Sequence, residues 1–237
     1  MTAYKLSRTA LEDFIKCPRC FKLHRGFGLK APRMVPLTLA VATDALLKNE
    51  FDRVRATGEL HPLWDREGLD MRALAHPDLG MWRDNRKGIR VLHEASGCTV
   101  YGAVDDVWQH RRTGELHIVD YKSTSKQGTP DLDSGFGAAY KRQMEIYQWL
   151  FREAGFQVSS IGYFLYVNGI KRGQFYERRL VGRMRFETTV LAYTGDYGWV
   201  DEAIVAAVRC LQSDGLPMSS TDCDICRYTA ERAQLVV

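Results

Sequence analysis

The 237-residue chain carries two Cys-x-x-Cys pairs at opposite ends, CPRC with Cys17 and Cys20 and CDIC with Cys223 and Cys226. That spacing lets both sulfurs of a pair reach one metal centre, and two pairs make a four-thiolate set. Such a set suits Zn²⁺ or an iron–sulfur cluster, with disulfide or redox pairs as the competing reading. If all four sulfurs bind together, the N- and C-terminal ends are joined, and everything between them must return to where it began. Cys98 and Cys210 lack such a spacing and read as core residues.

Between the cysteine pairs, the stretch TVYGAVDDVWQHRRTGELHIVDYKST at 99–124 reads as two strands, 100–110 and 115–122, joined by a turn at 111–114. Side chains alternate along a strand, so Asp120 and Lys122 share one face while Tyr121 takes the other. With His110 opposite Glu115, Asp105 lies across from Asp120 on the same face and Asp106 points away. A bulge in the strand would exchange the two aspartates. Two carboxylates and an ammonium then converge. Facing carboxylates call for a cation, and hard oxygen donors suit Mg²⁺ or Mn²⁺. A lysine beside such an ion can orient an attacking water, which is the equipment for phosphodiester hydrolysis. The competing reading is a solvated hairpin with ordinary surface charges.

The flanking chain reads as alternating helices and strands. A helix is expected up to Cys17, with Thr9 and Glu12 as a capping box and Pro18 as its stop, followed by a basic stretch at 22–30. A second helix is expected over 37–55, with Leu39, Leu46, Leu47, Phe51 and Val54 as its apolar positions and Asp44, Lys48 and Asp52 along one face. Residues 58–97 show weak patterning and read as a cap over the site or an irregular connection. The histidines there have no metal spacing and read as structural. A polar, turn-rich loop at 123–134 precedes a helix over 137–154, which places Tyr140, Gln143 and Tyr147 on one face. Strands are expected at 161–168, 174–179 and 184–193, and a last helix at 199–212. Strands flanked by helices around a central hairpin indicate an α/β core.

Composition agrees with one domain. An apolar fraction of 45% supports a sizeable core, and no run approaches a membrane span, so the default is a soluble, cytoplasmic chain. The net charge of +4, from 33 basic and 29 acidic residues, permits a nucleic-acid partner without requiring one. Two basic groups stand out, Arg83, Arg86, Lys87 and Arg90, and Arg178, Arg179, Arg183 and Arg185. Each is a solvated face or a phosphate contact, with Arg86 and Lys87 the nucleic-acid candidates.

The order Gly102-Ala103-Val104-Asp105, a turn, Val119-Asp120-Tyr121-Lys122 and then Gln143-Met144-Glu145-Ile146-Tyr147 resembles the PD-(D/E)XK nucleases. It is most similar to the RecB-type branch, which includes CRISPR-associated exonucleases. The opening Leu6-Ser7-x-Thr9-x-Leu11-x-x-Phe14-x-x-Cys17-Pro18 and the late Cys223-Asp224-Ile225-Cys226-Arg227-Tyr228 resemble the same branch, so the likeness spans nearly the whole chain. It implies one α/β domain over 1–237, a restriction-endonuclease-like core with a central mixed sheet flanked by helices. It implies catalysis by Asp105, Asp120, Lys122, Gln143 and Tyr147, with Mg²⁺ or Mn²⁺ on Asp105 and Asp120. Asp44, backed by Glu50, matches the place where the family often has a metal-reaching histidine or glutamate, which is a departure. Tyr140, Gln143 and Tyr147 would hold DNA, either single strands or free ends. The resemblance also favours a [4Fe–4S] cluster over Zn²⁺ on Cys17, Cys20, Cys223 and Cys226, although the relatives use one early and three late cysteines. The implied activity is a metal-dependent exonuclease. The alternatives are a DNA-binding module that kept the fold without catalysis, and a metalloprotein unrelated to nucleic acid.

Overall fold

A computed structural model describes residues 4–30, 37–178 and 180–235. In chain order its first elements are β1 (Lys5–Ser7), α1 (Arg8–Lys16), α2 (Pro18–Arg25), α3 (Thr38–Thr57), α4 (Pro62–Arg66), β2 (Met71–Ala73), α5 (Leu79–Trp82), β3 (Ile89–His93) and β4 (Cys98–Gly102). Then come β5 (Asp106–His110), β6 (Leu116–Thr124), α6 (Gly137–Glu153), β7 (Ile161–Ile170), β8 (Tyr176–Arg178), β9 (Val181–Gly182), β10 (Arg185–Thr194), α7 (Val200–Gln212) and α8 (Asp224–Leu235).

The central sheet has the order β10-β7-β6-β5-β2 and is mixed: β6 and β7 run parallel, and the other pairs are antiparallel. A smaller sheet, β1-β4-β3, holds β1 parallel to β4. This is the mixed α/β core expected from the sequence. One apolar cluster joins α1, α6 and α7 to one sheet face through Leu11, Met144, Leu150, Phe164 and Ile204. A second lies on the other face, where Phe51 and Val54 of α3 pack with Trp64, Trp108, Val119 and Leu165.

Several expectations are corrected. Residues 100–110 are not one strand, because β4 ends at Gly102 and the chain crosses into the other sheet before β5 begins. Two tight backbone approaches mark the crossing. A Cβ on Gly102 would sit 2.7 Å from the Tyr147 ring, and one on Gly88, at φ +61°, would sit 2.3 Å from the Gly102 carbonyl oxygen. The first helix is capped by Ser7, whose Oγ accepts from the Ala10 N–H at 3.0 Å, and not by Thr9. Glu12 instead takes a paired contact from Arg142 of α6 at 2.8 and 2.9 Å. Pro18 does end α1, but it also occupies the first turn of α2, where its missing N–H costs nothing. Leu39 and Leu46 of α3 are exposed, so its apolar face is carried by Phe51 and Val54. Residues 58–97 supply β2 and β3 to the two sheets and bury Trp64 and Trp82. Arg179 lies outside the described residues.

Asp106 is fully buried and anchors α3 and the turn after α5 to the sheet. Its Oδ1 meets Arg55 at 2.6 Å and Arg83 at 2.9 Å, and its Oδ2 accepts from the Tyr121 hydroxyl at 2.8 Å. Removing the carboxylate leaves the two mostly buried guanidinium groups with the half-exposed Asp52 as their remaining carboxylate partner. Asp106→Ala is therefore expected to lower the unfolding free energy by about 3–5 kcal/mol in denaturant titration. Asp105→Ala should leave it unchanged or raise it in metal-free protein.

Candidate active site and thiolate centre

The hairpin register follows the parity argument. Asp106 pairs with Val119 and Val107 with Ile118, and His110 N–H donates to the Glu115 carbonyl at 2.9 Å. Continued by one step, that register sets Asp105 against Asp120. Asp105 and Asp106 then leave the backbone on opposite faces. Asp106 faces Tyr121 and the two arginines, whereas Asp105 enters the cleft with Asp120 and Lys122. Asp105 Oδ2 accepts from the Tyr121 N–H at 2.8 Å, which fixes the carboxylate at the mouth of the hairpin.

Helix α6 closes the cleft. Gln143 Nε2 donates to Asp120 Oδ1 at 2.8 Å and to the Tyr147 hydroxyl at 3.3 Å, and its Oε1 accepts from Lys122 Nζ at 3.2 Å. One amide thereby orients a carboxylate, an ammonium and a phenol. Lys122 also lies 4.2 Å from the centre of the Tyr140 ring, a cation–π contact that holds the chain of the lysine in place. Tyr140, Gln143 and Tyr147 thus share the face that their spacing predicts.

From the other side, α3 contributes Asp44 through Lys48. Lys48 Nζ is 2.9 Å from Asp44 and 3.6 Å from Asp105. The sequence reading placed Lys48 on this helix face but gave it no role at the site. The signal was its i, i+4 spacing from Asp44; its partner Asp105 is supplied by tertiary structure. Glu50 pairs instead with Arg53 at 3.0 Å. Arg86 lines a separate small pocket with Lys5, Arg90, Thr99 and Tyr101, and Lys87 is an exposed neighbour 4.0 Å from Asp84.

The electrostatics of the cleft describe a place for a cation. Burial, and then the Asp120 carboxylate, push Asp105 up to about 7, against the lowering pull of Lys48 and Lys122. Burial alone would depress Lys122, but Asp120 and Asp105 outweigh it and keep its pKa raised. Lys122 Nζ forms an ion pair with the buried Asp120 Oδ2. Two facing carboxylates, one of them reluctant to ionise and neither neutralised among the described residues by a cation of its own beyond the shared lysines, fit a hard divalent ion. Asp105 and Asp120 are the residues that would hold it.

The second centre lies where two helix N-termini meet. Cys17 caps α2 and Cys20 sits in its first turn; Cys223 precedes α8 and Cys226 sits in its first turn. The four Sγ atoms lie within 4.8 Å of one another, with Cys20 at 3.4 Å from Cys226 and 3.5 Å from Cys223, and Cys17 at 3.8 Å from Cys226. Burial raises the Cys17 thiol, but hydrogen bonds from the backbone of Cys20 and Ser220 and from the Cys223 and Cys226 thiols outweigh it, bringing the value to about 6. Burial and the neighbouring thiols raise Cys20 in turn. The four cannot all ionise without a metal to share the charge, so the donor set fits one. None of the residues of α8 is buried, so no apolar packing competes with the thiols in holding that helix. Buried Lys22 secures the same corner by donating to the carbonyls of Cys210 and Leu211 at the end of α7, at 2.9 and 2.8 Å.

The chain belongs to the PD-(D/E)XK nuclease superfamily, whose model matches residues 5–230. No curated protein matches the chain significantly. The superfamily is one of phosphodiester-cleaving nucleases that usually work on nucleic acid with divalent metals, so membership implies that chemistry, and the four clustered cysteines are placed so that they could bind a metal ion. No helix among the described residues is long and apolar enough to cross a membrane.

A pH signature follows from Asp105. Its folded-state value is raised from 3.8 to about 7, so between those values the native state holds a proton that the unfolded chain has lost. Metal-free protein should therefore lose stability as pH rises from about 4 to 7. Mn²⁺, which binds the ionised form, should raise the melting temperature more at pH 8 than at pH 5. Thermal melts with Mn²⁺ and EDTA check this, and Asp105→Asn should remove most of the pH dependence.

Proposed function

We propose that the chain is a deoxyribonuclease that acts on single strands or free DNA ends, with Asp105 and Asp120 holding Mg²⁺ or Mn²⁺. The observation that carries this reading is the convergence of Asp105, Asp120 and Lys122, tied together by Gln143. The divalent ion, when bound, supplies Lewis-acid stabilisation of the charge that builds on the phosphate. Lys122, kept cationic by its carboxylate neighbours, acts as a donor that positions the attacking water rather than as a base. Gln143 fixes the angle between Asp120 and Lys122, and Tyr140 and Tyr147 shape the wall against which the nucleotide rests. Asp44 reaches the site through Lys48 and sets the position of that ammonium.

A second reading is a DNA-binding module that has lost catalysis. The Lys48 ammonium between Asp44 and Asp105 favours it, because it already supplies positive charge at the carboxylates. End-labelled single- and double-stranded DNA, incubated with Mg²⁺, Mn²⁺ or EDTA, separates the two. The nuclease reading expects metal-dependent cleavage that falls at least 100-fold in Asp120→Ala and Lys122→Ala, with folding intact by circular dichroism. Binding without cleavage in the wild type supports the module.

For the thiolate centre we propose zinc. A tetrahedral ion with Zn–S bonds of about 2.3 Å sets its sulfurs about 3.8 Å apart, near the 3.4, 3.5 and 3.8 Å of three of the cysteine pairs and compatible with all four lying within 4.8 Å of one another. A cubane cluster spreads its four cysteine sulfurs further, since each binds a different iron. Cys223→Ser should lose the metal and free α8, seen as faster proteolysis after residue 213 and a lower melting temperature. Cys98→Ser should keep the metal. Elemental analysis of protein purified without oxygen decides the identity: iron with broad visible absorption would replace zinc by the cluster.

A further inference from the structure

Outside the catalytic cleft, a pocket of about 460 Å³ opens between the loop after β6, the end of β7 and the start of β10. Lys126, Lys171, Arg172 and Arg185 line it, with Glu187 and the buried Asn168. Lys126 is paired with Asp131 at 2.6 Å. Lys171, Arg172 and Arg185 meet no carboxylate among the described residues, so three cations face one lining carboxylate.

Strand register relates this pocket to the catalytic lysine. Lys122 stands beside Tyr166 and Thr124 beside Asn168 on the parallel pair β6–β7. Across the next pair, Thr189 faces Tyr166, Glu187 faces Asn168 and Arg185 faces Ile170. Neighbours in register share a face, so Arg185, Glu187 and Thr189 emerge on the same side of the sheet as Asp120 and Lys122. Two strands across and four residues along put the Arg185 backbone about 16 Å from that of Lys122. The loop that continues β6 connects the two places directly, and Lys126 N–H donates to Asn168 Oδ1 at 3.1 Å to fix it against β7. Between Arg172 and Arg185 the chain folds out as the β8–β9 hairpin, whose Phe175 and Tyr176 rings are exposed and pack edge-on at 5.1 Å. Exposed aromatic rings beside unpaired cations make a surface on which bases stack while phosphates are neutralised.

We propose that this pocket and hairpin hold the backbone of the substrate strand a few nucleotides from the scissile phosphate. The proposal rests on the nuclease reading and adds a subsite to it. It accounts for uncompensated charge on the catalytic face that the cleavage chemistry does not use.

The test is binding of fluorescently labelled single-stranded DNA of three to twelve nucleotides, by anisotropy with Ca²⁺ in place of Mg²⁺ and at several salt concentrations. Lys171→Gln/Arg172→Gln/Arg185→Gln should weaken binding of the twelve-nucleotide strand at least 10-fold. Its slope of log K against log salt should become shallower by about 2, from three lost phosphate contacts at roughly 0.7 each. The loss should shrink as the strand is shortened to three nucleotides. Glu187→Gln should tighten the long strand a few-fold, a gain that a misfolded variant cannot imitate. An equal loss at every length, no loss at any, or competition by inorganic phosphate without length dependence would overturn the subsite. A wild type that neither binds nor cleaves any strand overturns the nuclease reading with it, whereas a wild type that cleaves beside a variant that matches it overturns the subsite alone.

Discussion

Two carboxylates set opposite each other on paired strands, in a cleft that water reaches poorly, repel unless a cation lies between them. Asp105 and Asp120 are held in that relation by the ladder of β5 and β6, which neither side chain can relax. The rest of the cleft answers to it. Lys122 and Lys48 approach from two sides, and Gln143 spans Asp120 and Lys122 with its one amide. The protein thus keeps at its centre an arrangement that is unfavourable alone and that a divalent ion would satisfy, a common way for a site to trade stability for binding.

What allows this is the neighbouring residue. Asp106 differs from Asp105 by one step along the strand, and that step sends it to the other face, where Arg55, Arg83 and Tyr121 saturate it. The anchored carboxylate fixes the start of β5 and the course of α3, and so fixes where Asp105 and Lys48 can be. Two aspartates with one covalent chemistry divide into a group saturated by its partners and one left facing a second carboxylate in the cleft. The pleat alone makes the division.

The thiolate centre solves a different problem. Helix α8 buries none of its residues and cannot be retained by the hydrophobic effect. The four sulfurs gathered at the N-termini of α2 and α8 would hold it through a shared metal ion, and helix N-termini favour the thiolate forms that a metal requires. Lys22 adds a second link at the same corner by satisfying the last carbonyls of α7.

Local pattern sufficed for what depends on local periods. The hairpin register was legible because a period of two and a turn at 111–114 leave one pairing that puts Asp105 across from Asp120. The helical period placed Tyr140, Gln143 and Tyr147 on one face, and the Cys-x-x-Cys spacings announced the thiolate set. Other features depend on which elements become neighbours, and a linear pattern does not carry that. The break between β4 and β5 was hidden because apolar residues run through it on both sides; two sheets, not one, receive them. The partners of Asp106 come from 51 and 23 residues upstream, and Lys48 joins the site only because α3 packs beside β6. The cationic pocket on β7 and β10 likewise exists only once their register is set. The sequence by itself determined which side chains could bind a metal ion and on which face of their own element each would stand. Tertiary structure alone decided which of those faces meet, because charge pairing and burial act through space between segments that the chain keeps far apart.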